Sequence, residues 1–210
     1  MPTVDHRPAV RFLNAANAFY ARAYHRINLL SPPQLPPRGP AILVCNHTSG
    51  LDPFLIQAVC PRIITWMMAK EFYDVPAFTW ALKLIGAIPV ARSGRDSMAT
   101  RSAIRSLHDG EVLGVFPEGR IEREPGLMPF QSGVALMAIK TGVPVYPAYL
   151  DGTQRNKPMA QAFLEASEAT LSFGPPVSFD RSSTDKDALS AATDAIQSAV
   201  QSLMDKSRRP

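Results

Sequence analysis

After residue 40 the chain alternates short apolar runs with amphipathic stretches, and this alternation constrains the fold more than any other feature. Strand-like runs fall at residues 41–45 (AILVC), 62–68, 88–91, 111–116 and 143–150, with one or two more within 169–179. Helical periodicity occupies residues 53–58, 76–85, 96–108, 131–140 and 185–204. Strands separated by helices predict an α/β fold: a single domain with a mostly parallel mixed sheet flanked by helices. At 210 residues, 46% hydrophobic and 19% charged, the chain can bury one such core and is not a disordered or low-complexity sequence. One strand carries a warning. Pro144 and Pro147 remove ladder donors from 143–150, so this run is expected to be irregular or near an edge of the sheet.

The first forty residues are of another kind. Residues 9–30 show apolar side chains at helical spacing, Leu13, Ala16, Tyr20, Ala23, Tyr24 and Ile27, interleaved with Arg11, Arg22 and Arg26. SPPQLPPRGP follows at 31–40, with five prolines and one glycine, and reads as a stiff connector. Residues 1–40 thus form an N-terminal amphipathic helix and connector ahead of the domain at 41–210. The helix either packs on the core or lies, as a basic amphipathic element, on anionic lipid, and its two faces allow both.

The net charge of +4 conceals an uneven distribution: residues 6–95 carry ten Lys/Arg and three acids, whereas 96–210 are slightly acidic. A basic half of this kind points to an anionic partner such as a membrane surface, a phosphorylated substrate or a coenzyme. A nucleic-acid partner is not expected, because the aromatic–basic pattern of an RNA-stacking sheet and any recognisable DNA-reading module are missing. No apolar run reaches spanning length and the N-terminus does not read as a signal peptide. Cys45 and Cys60 are too few to frame a disulfide scaffold. A cytoplasmic protein, peripheral on the inner face of a membrane, is the location these features predict.

Four segments could carry chemistry. The first is CNHTSGLDP, 45–53. Asp-Pro before an apolar run predicts a helix opening with Asp52 at the N-cap and Pro53 at N1. A cap accounts for Asp52 but not for His47, and a loop entering a helix can fold the two together. A carboxylate against one ring nitrogen fixes the tautomer and leaves the other nitrogen as a general base. The second segment is GAIPVARSGR, 86–95. The third is GVFPEGRIERE, 114–124, at the carboxyl end of a strand, where α/β sheets place ligands; taken alone it reads as a turn with solvated charges. The fourth is TGVPVYPAYL, 141–150. Nucleophile-elbow, phosphate-loop, zinc and dinucleotide motifs are missing from the sequence.

In order and spacing, these segments resemble the glycerolipid acyltransferase family that includes 1-acyl-sn-glycerol-3-phosphate acyltransferase. Its N-H-x4-D block matches residues 46–52, G-x-I-x-x-x-R matches 86–92, F-P-E-G matches 116–119 and V-P-[VI]-x-P matches 143–147. Lys70-Glu71 sits where a lysine–acid pair is common in that family. The resemblance, over residues 38–180, implies a glycerol-3-phosphate acyltransferase-like fold and transfer of an acyl chain to a lysophospholipid hydroxyl, with 1-acylglycerol 3-phosphate as the first acceptor. The donor it implies is acyl-CoA or acyl-carrier protein, with no other cofactor and no metal. His47 and Asp52 would be the catalytic pair. Lys70, Arg92, Glu118, Gly119 and Arg120 would bind substrate. The third block departs from the family's F-P-E-G-T-R-S, with Arg120-Ile121-Glu122 after the glycine. That departure leaves open another lipid acceptor, an amino-acid-based lipid among them, and beside both stands a non-catalytic lipid-binding protein of the same fold.

Overall fold

A computed structural model describes residues 8–74, 76–91, 96–122, 124–155, 157, 159–181 and 184–208. The elements run in the order α1 (Pro8–Tyr24), β1 (Asn28–Leu29), β2 (Ala41–Cys45), α2 (Asp52–Val59), β3 (Ile64–Ala69), a 3-10 turn (Lys70–Asp74), α3 (Pro76–Leu84), β4 (Ile88–Val90), α4 (Ser97–His108), β5 (Val112–Val115), α5 (Gly133–Thr141), β6 (Val145–Asp151), α6 (Met159–Leu164), β7 (Thr170–Phe173) and α7 (Lys186–Ser207). Seven strands form one sheet in the order β1-β7-β6-β2-β5-β3-β4. All neighbours are parallel except β6 and β7. The predicted α/β class and mixed sheet are what the chain adopts.

The alternation of strand side chains separates two cores. From β2, Ile42 and Val44 face a cluster closed by α4, α5 and α7, through residues such as Leu107, Met137 and Ile196. Ala41, Leu43 and Cys45 face the opposite cluster, which holds Ala21 of α1 and Leu55 and Ile56 of α2. All five β2 residues are buried. Each large apolar side chain buried in this way contributes roughly 1.5–3 kcal/mol. A strand with both faces covered is the expected partner of parallel crossovers.

Two expectations change. The strand at 143–150 is interior, between β7 and β2, rather than near an edge. Pro144 precedes β6, and Pro147 loses only what its ring forfeits on the β7 side. There the Gly174 amide donates to the Pro147 carbonyl at 2.9 Å, and the return bond is missing. On the other side β6 keeps its parallel register with β2, Val44 level with Pro147. The N-terminal helix is also shorter than 9–30. It ends at Tyr24, and Arg26 turns the chain with φ of 40°. The buried His25 ring is held by Ser167 Oγ at 2.7 Å and the Tyr20 hydroxyl at 3.0 Å, and the chain continues into β1 against β7. Residues before 40 therefore supply an edge strand as well as a helix.

Candidate active site

The loop after β2 is built by side chains doing the work of backbone. Asn46 donates to the Leu150 carbonyl at 2.9 Å and accepts from the Leu150 amide at 2.8 Å, tying the end of β2 to β6. The chain then turns through His47–Gly50, and the Asp52 carboxylate fills the turn. Asp52 Oδ2 accepts from the Thr48 amide at 2.6 Å, the Ser49 amide at 2.9 Å and His47 Nδ1 at 2.9 Å. The Thr48 hydroxyl also donates to this carboxylate and shares a hydrogen bond with Thr153. Every partner is a donor, as a buried carboxylate requires.

Asp52 is consequently not the N-cap that the Asp-Pro pair suggests. The cap position belongs to Leu51, in the αR region and without a side-chain cap bond, and Asp52 is the first helical residue. The sequence places the helix start within one residue. It misassigns the carboxylate, because nearer amides and an imidazole compete for it successfully.

His47 is largely enclosed, with 17% of its side chain exposed. With the shared hydrogen assigned to Nδ1 by its carboxylate acceptor, Nε2 carries the lone pair. Nε2 takes no hydrogen bond among the described residues. This free nitrogen stands at the carboxyl end of a central parallel strand, beside the carboxyl end of β5.

The turn after β5 brings Glu118 to the same place. Glu118 is 4% exposed and Glu122 3%, so these acids are buried rather than solvated. Neither oxygen of Glu118 has a hydrogen-bond partner. Burial, then the Glu122 charge, then Asp52, push its carboxyl up to about 8, while the nearby His47 amide and Arg155 pull the other way. That amide faces the carboxyl without closing a hydrogen bond of good geometry. Gly119, exposed at φ of 71°, closes the turn, its amide donating to the Phe116 carbonyl at 3.0 Å. The positive φ is what favours glycine here; a Cβ would fall 2.1 Å from Gln131 Nε2, the end of an exposed side chain that can swing aside.

Glu122 binds this turn to the histidine loop: its amide donates to the His47 carbonyl at 2.7 Å. Its carboxylate takes Arg155 Nη1 at 3.0 Å, and Nη2 of the same guanidinium takes Asp151 at 3.0 Å. Burial raises the Glu122 carboxyl in spite of Arg155. For Asp151 burial acts in the same direction, but the Gly152 amide and Arg155 outweigh it and the net shift is downward. This network was not anticipated from the sequence. Its only sign there is an acid in the third block, and its partner lies 33 positions later.

The structure thus gathers His47, Asp52, Glu118 and Gly119 at one end of the sheet. Lys70 is exposed just past the end of β3, and its charge acts on Asp96. Arg120 is exposed, with Nε 3.3 Å from Met128 Sδ. No hydrogen bond or ion pair joins Lys70 or Arg120 to His47 among the described residues. Arg92 lies outside the described residues.

Comparison with known proteins decides the family. The Acyltransferase family pattern matches residues 26–151, more than half of the chain. The chain belongs to the acyltransferase family. It is 29% identical over 121 residues to a chloroplastic 1-acyl-sn-glycerol-3-phosphate acyltransferase of Brassica napus, covering 57% of this chain and 35% of that one. It is 30% identical over 127 residues to the lyso-ornithine lipid O-acyltransferase of Pseudomonas aeruginosa, covering 60% of this chain and 48% of that one. The chain therefore spans between about a third and a half of these relatives' length. The crystal structure of the 1-acyl-sn-glycerophosphate (LPA) acyltransferase PlsC from Thermotoga maritima superimposes with a TM-score of 0.74 at 20% identity, over 95% of this acyltransferase-family chain and 82% of that one. That likeness confirms the fold, including the helix before the sheet.

Proposed function

We propose that this chain transfers an acyl group from a thioester to the hydroxyl of a lysophospholipid, with 1-acylglycerol 3-phosphate as the first candidate acceptor. The observation that carries the proposal is His47, with Nδ1 on a buried carboxylate and Nε2 free at the ligand end of the sheet. Nε2 takes the hydroxyl proton as the acceptor oxygen attacks the thioester carbonyl. The tetrahedral intermediate then collapses, the C–S bond breaks, and the imidazolium returns the proton to the leaving thiolate. Base assistance of this kind contributes roughly 10²–10⁴-fold. The thioester, acyl-CoA or acyl-carrier protein, is consumed as co-substrate, and the scheme calls on no resident cofactor or metal. Glu118 keeps its proton below about pH 8 and so offers the acceptor hydroxyl a donor as well as an acceptor. Lys70, Arg92 and Arg120 are the cations assigned to an acceptor phosphate, and an arginine fork suits phosphate geometry better than a lysine.

A second acceptor class has its own observation. Where the family pattern has an arginine, this chain has Ile121, and the neighbouring Glu122 is buried on Arg155. With a lyso-ornithine lipid acyltransferase among the relatives, an amino-acid-based acceptor is the second reading. The two are separated by mass spectrometry of products from mixed lysophosphatidate and lyso-ornithine lipid, with acyl-CoA and acyl-carrier protein as competing donors. Acylated lysophosphatidate supports the first reading, acylated lyso-ornithine lipid the second, and neither product with either donor overturns both.

Membrane contact is assigned to the outward face of α1. Asn17 of α1 donates to the Phe54 carbonyl at 2.9 Å, and Ala21 is buried, so one face is packed. Phe12 at 73% and Phe19 at 77% exposure stand on the helix with exposed Arg11 and Arg22, which is the composition of an interfacial helix. Among the described residues no helix is long and apolar enough to cross a membrane.

A further inference from the structure

Three aromatic rings stand in a row across three adjacent strands at the ligand end of the sheet. The His47 imidazole lies face to face with Phe116, centroids 4.0 Å apart and planes 14° from parallel. Phe116 in turn lies against the Trp66 indole, at 4.9 Å and 8°. The row follows the strand order β2-β5-β3, and its spacing is close to the 4.7–4.9 Å between hydrogen-bonded strands. Gly114 of β5 makes the arrangement possible. It is level with Trp66, and a Cβ on it would come within 2.5 Å of the indole and of Ile64. With that space open, Trp66 leans over β5 and supports the far face of Phe116.

We propose that Phe116 is a positioning residue for the reaction assigned above. Its ring keeps the imidazole in the plane that holds Nδ1 on Asp52, and its π face stabilises the imidazolium formed when Nε2 takes the acceptor proton. A cation within about 6 Å of an aromatic centroid is attracted by the ring quadrupole, and His47 stands well inside that distance. The proton transfer balances as before. The hydrogen moves from the acceptor hydroxyl to Nε2 and on to the leaving thiolate, and Phe116 exchanges nothing.

A ring that only packs on the histidine would act in the opposite direction. Packing excludes water and disfavours the charged imidazole, so removing it would favour protonation. The π face favours the charged form, so removing it disfavours protonation. The charged groups of this region are Asp52 of α2, Glu118 and Glu122 of the turn after β5, and Arg155 after β6. None is changed by a substitution at residue 116.

The experiment is a proton NMR titration of the His47 ring in the full chain without substrate, its signal assigned by loss in His47→Ala. In Phe116→Leu the midpoint should move down by about half a pH unit relative to wild type, and in Phe116→Tyr it should stay. Pentafluorophenylalanine at the same position keeps the shape while reversing the quadrupole, so it gives the answer even if Phe116→Leu folds poorly. Its midpoint should also fall. An unchanged or upward midpoint in the fluorinated protein would overturn the proposal. This inference rests on His47 being the base, but the titration needs no acyl transfer. Failure of the stacking role is thus read separately from failure of the catalytic assignment, which His47→Ala turnover reports.

Discussion

Glu118→Gln isolates the energetic consequence of burying an acid beside two others. The carboxyl sits at about 8 in the folded chain against 4.5 for the free side chain, with desolvation as the leading cause. A group raised in this way contributes stability that is fully present below its unfolded value and lost as pH rises through the folded one. Between pH 5 and pH 9 the wild type should therefore lose about 4 kcal/mol through this residue. Glutamine occupies the same volume and does not titrate, so the variant escapes that loss. Urea unfolding of both proteins at several pH values measures the difference directly, and other groups cancel in the comparison. Relative to wild type, Glu118→Gln should gain stability progressively toward pH 9, which for a chain of this size is roughly 8–16 °C in Tm. A difference that stays flat from pH 5 to 9 would refute the reasoning, because it would mean Glu118 ionises in the folded chain as it does in water.

Three further outcomes follow from the same geometry. Removing Arg155 leaves Glu122 buried without its cation, so Arg155→Ala should lower unfolding stability by about 3–5 kcal/mol in chemical denaturation, with the lower end favoured because Glu122 can take up a proton. Asp52→Asn sets an amide N–H among donors that already need an acceptor; it should cost about 1–3 kcal/mol and remove most turnover, as read by denaturation and acyl-transfer assays on one preparation. The α1 face should bind anionic vesicles more tightly than neutral ones, and sedimentation should show this preference fading toward 1 M salt, where the Debye length is about 3 Å.

The features legible in the sequence are those that depend on neighbours in the chain. Period-two and period-3.6 patterns place most strands and helices, and the His47–Asp52 pair is recoverable because both residues lie in one short loop. Features set by distant residues are not legible. Pro147 could be read only as an obstacle to a central strand, since its tolerance depends on a single forfeited bond toward Gly174. Glu122 reads as a solvated turn charge until Arg155 arrives from beyond β6. The end of α1 depends on His25 being drawn toward Ser167, 142 positions away. Arg26 bears no mark of the left-handed turn it makes. Phe116 is visible as a motif residue, but its stack needs Gly114 and Trp66 in adjacent strands.

The catalytic base is the central claim, and His47→Ala tests it most directly. The alanine leaves the backbone of the loop in place but takes one donor from Asp52 and one face from Phe116, so far-UV circular dichroism should stay close to wild type while unfolding stability falls by about 1–3 kcal/mol. Product formation, followed by mass spectrometry with acyl-CoA and acyl-carrier protein as donors and the mixed lysolipid pool as acceptors, should fall by a factor on the order of 10² or more. A folded His47→Ala protein that forms acylated lipid at near wild-type rate would contradict the account.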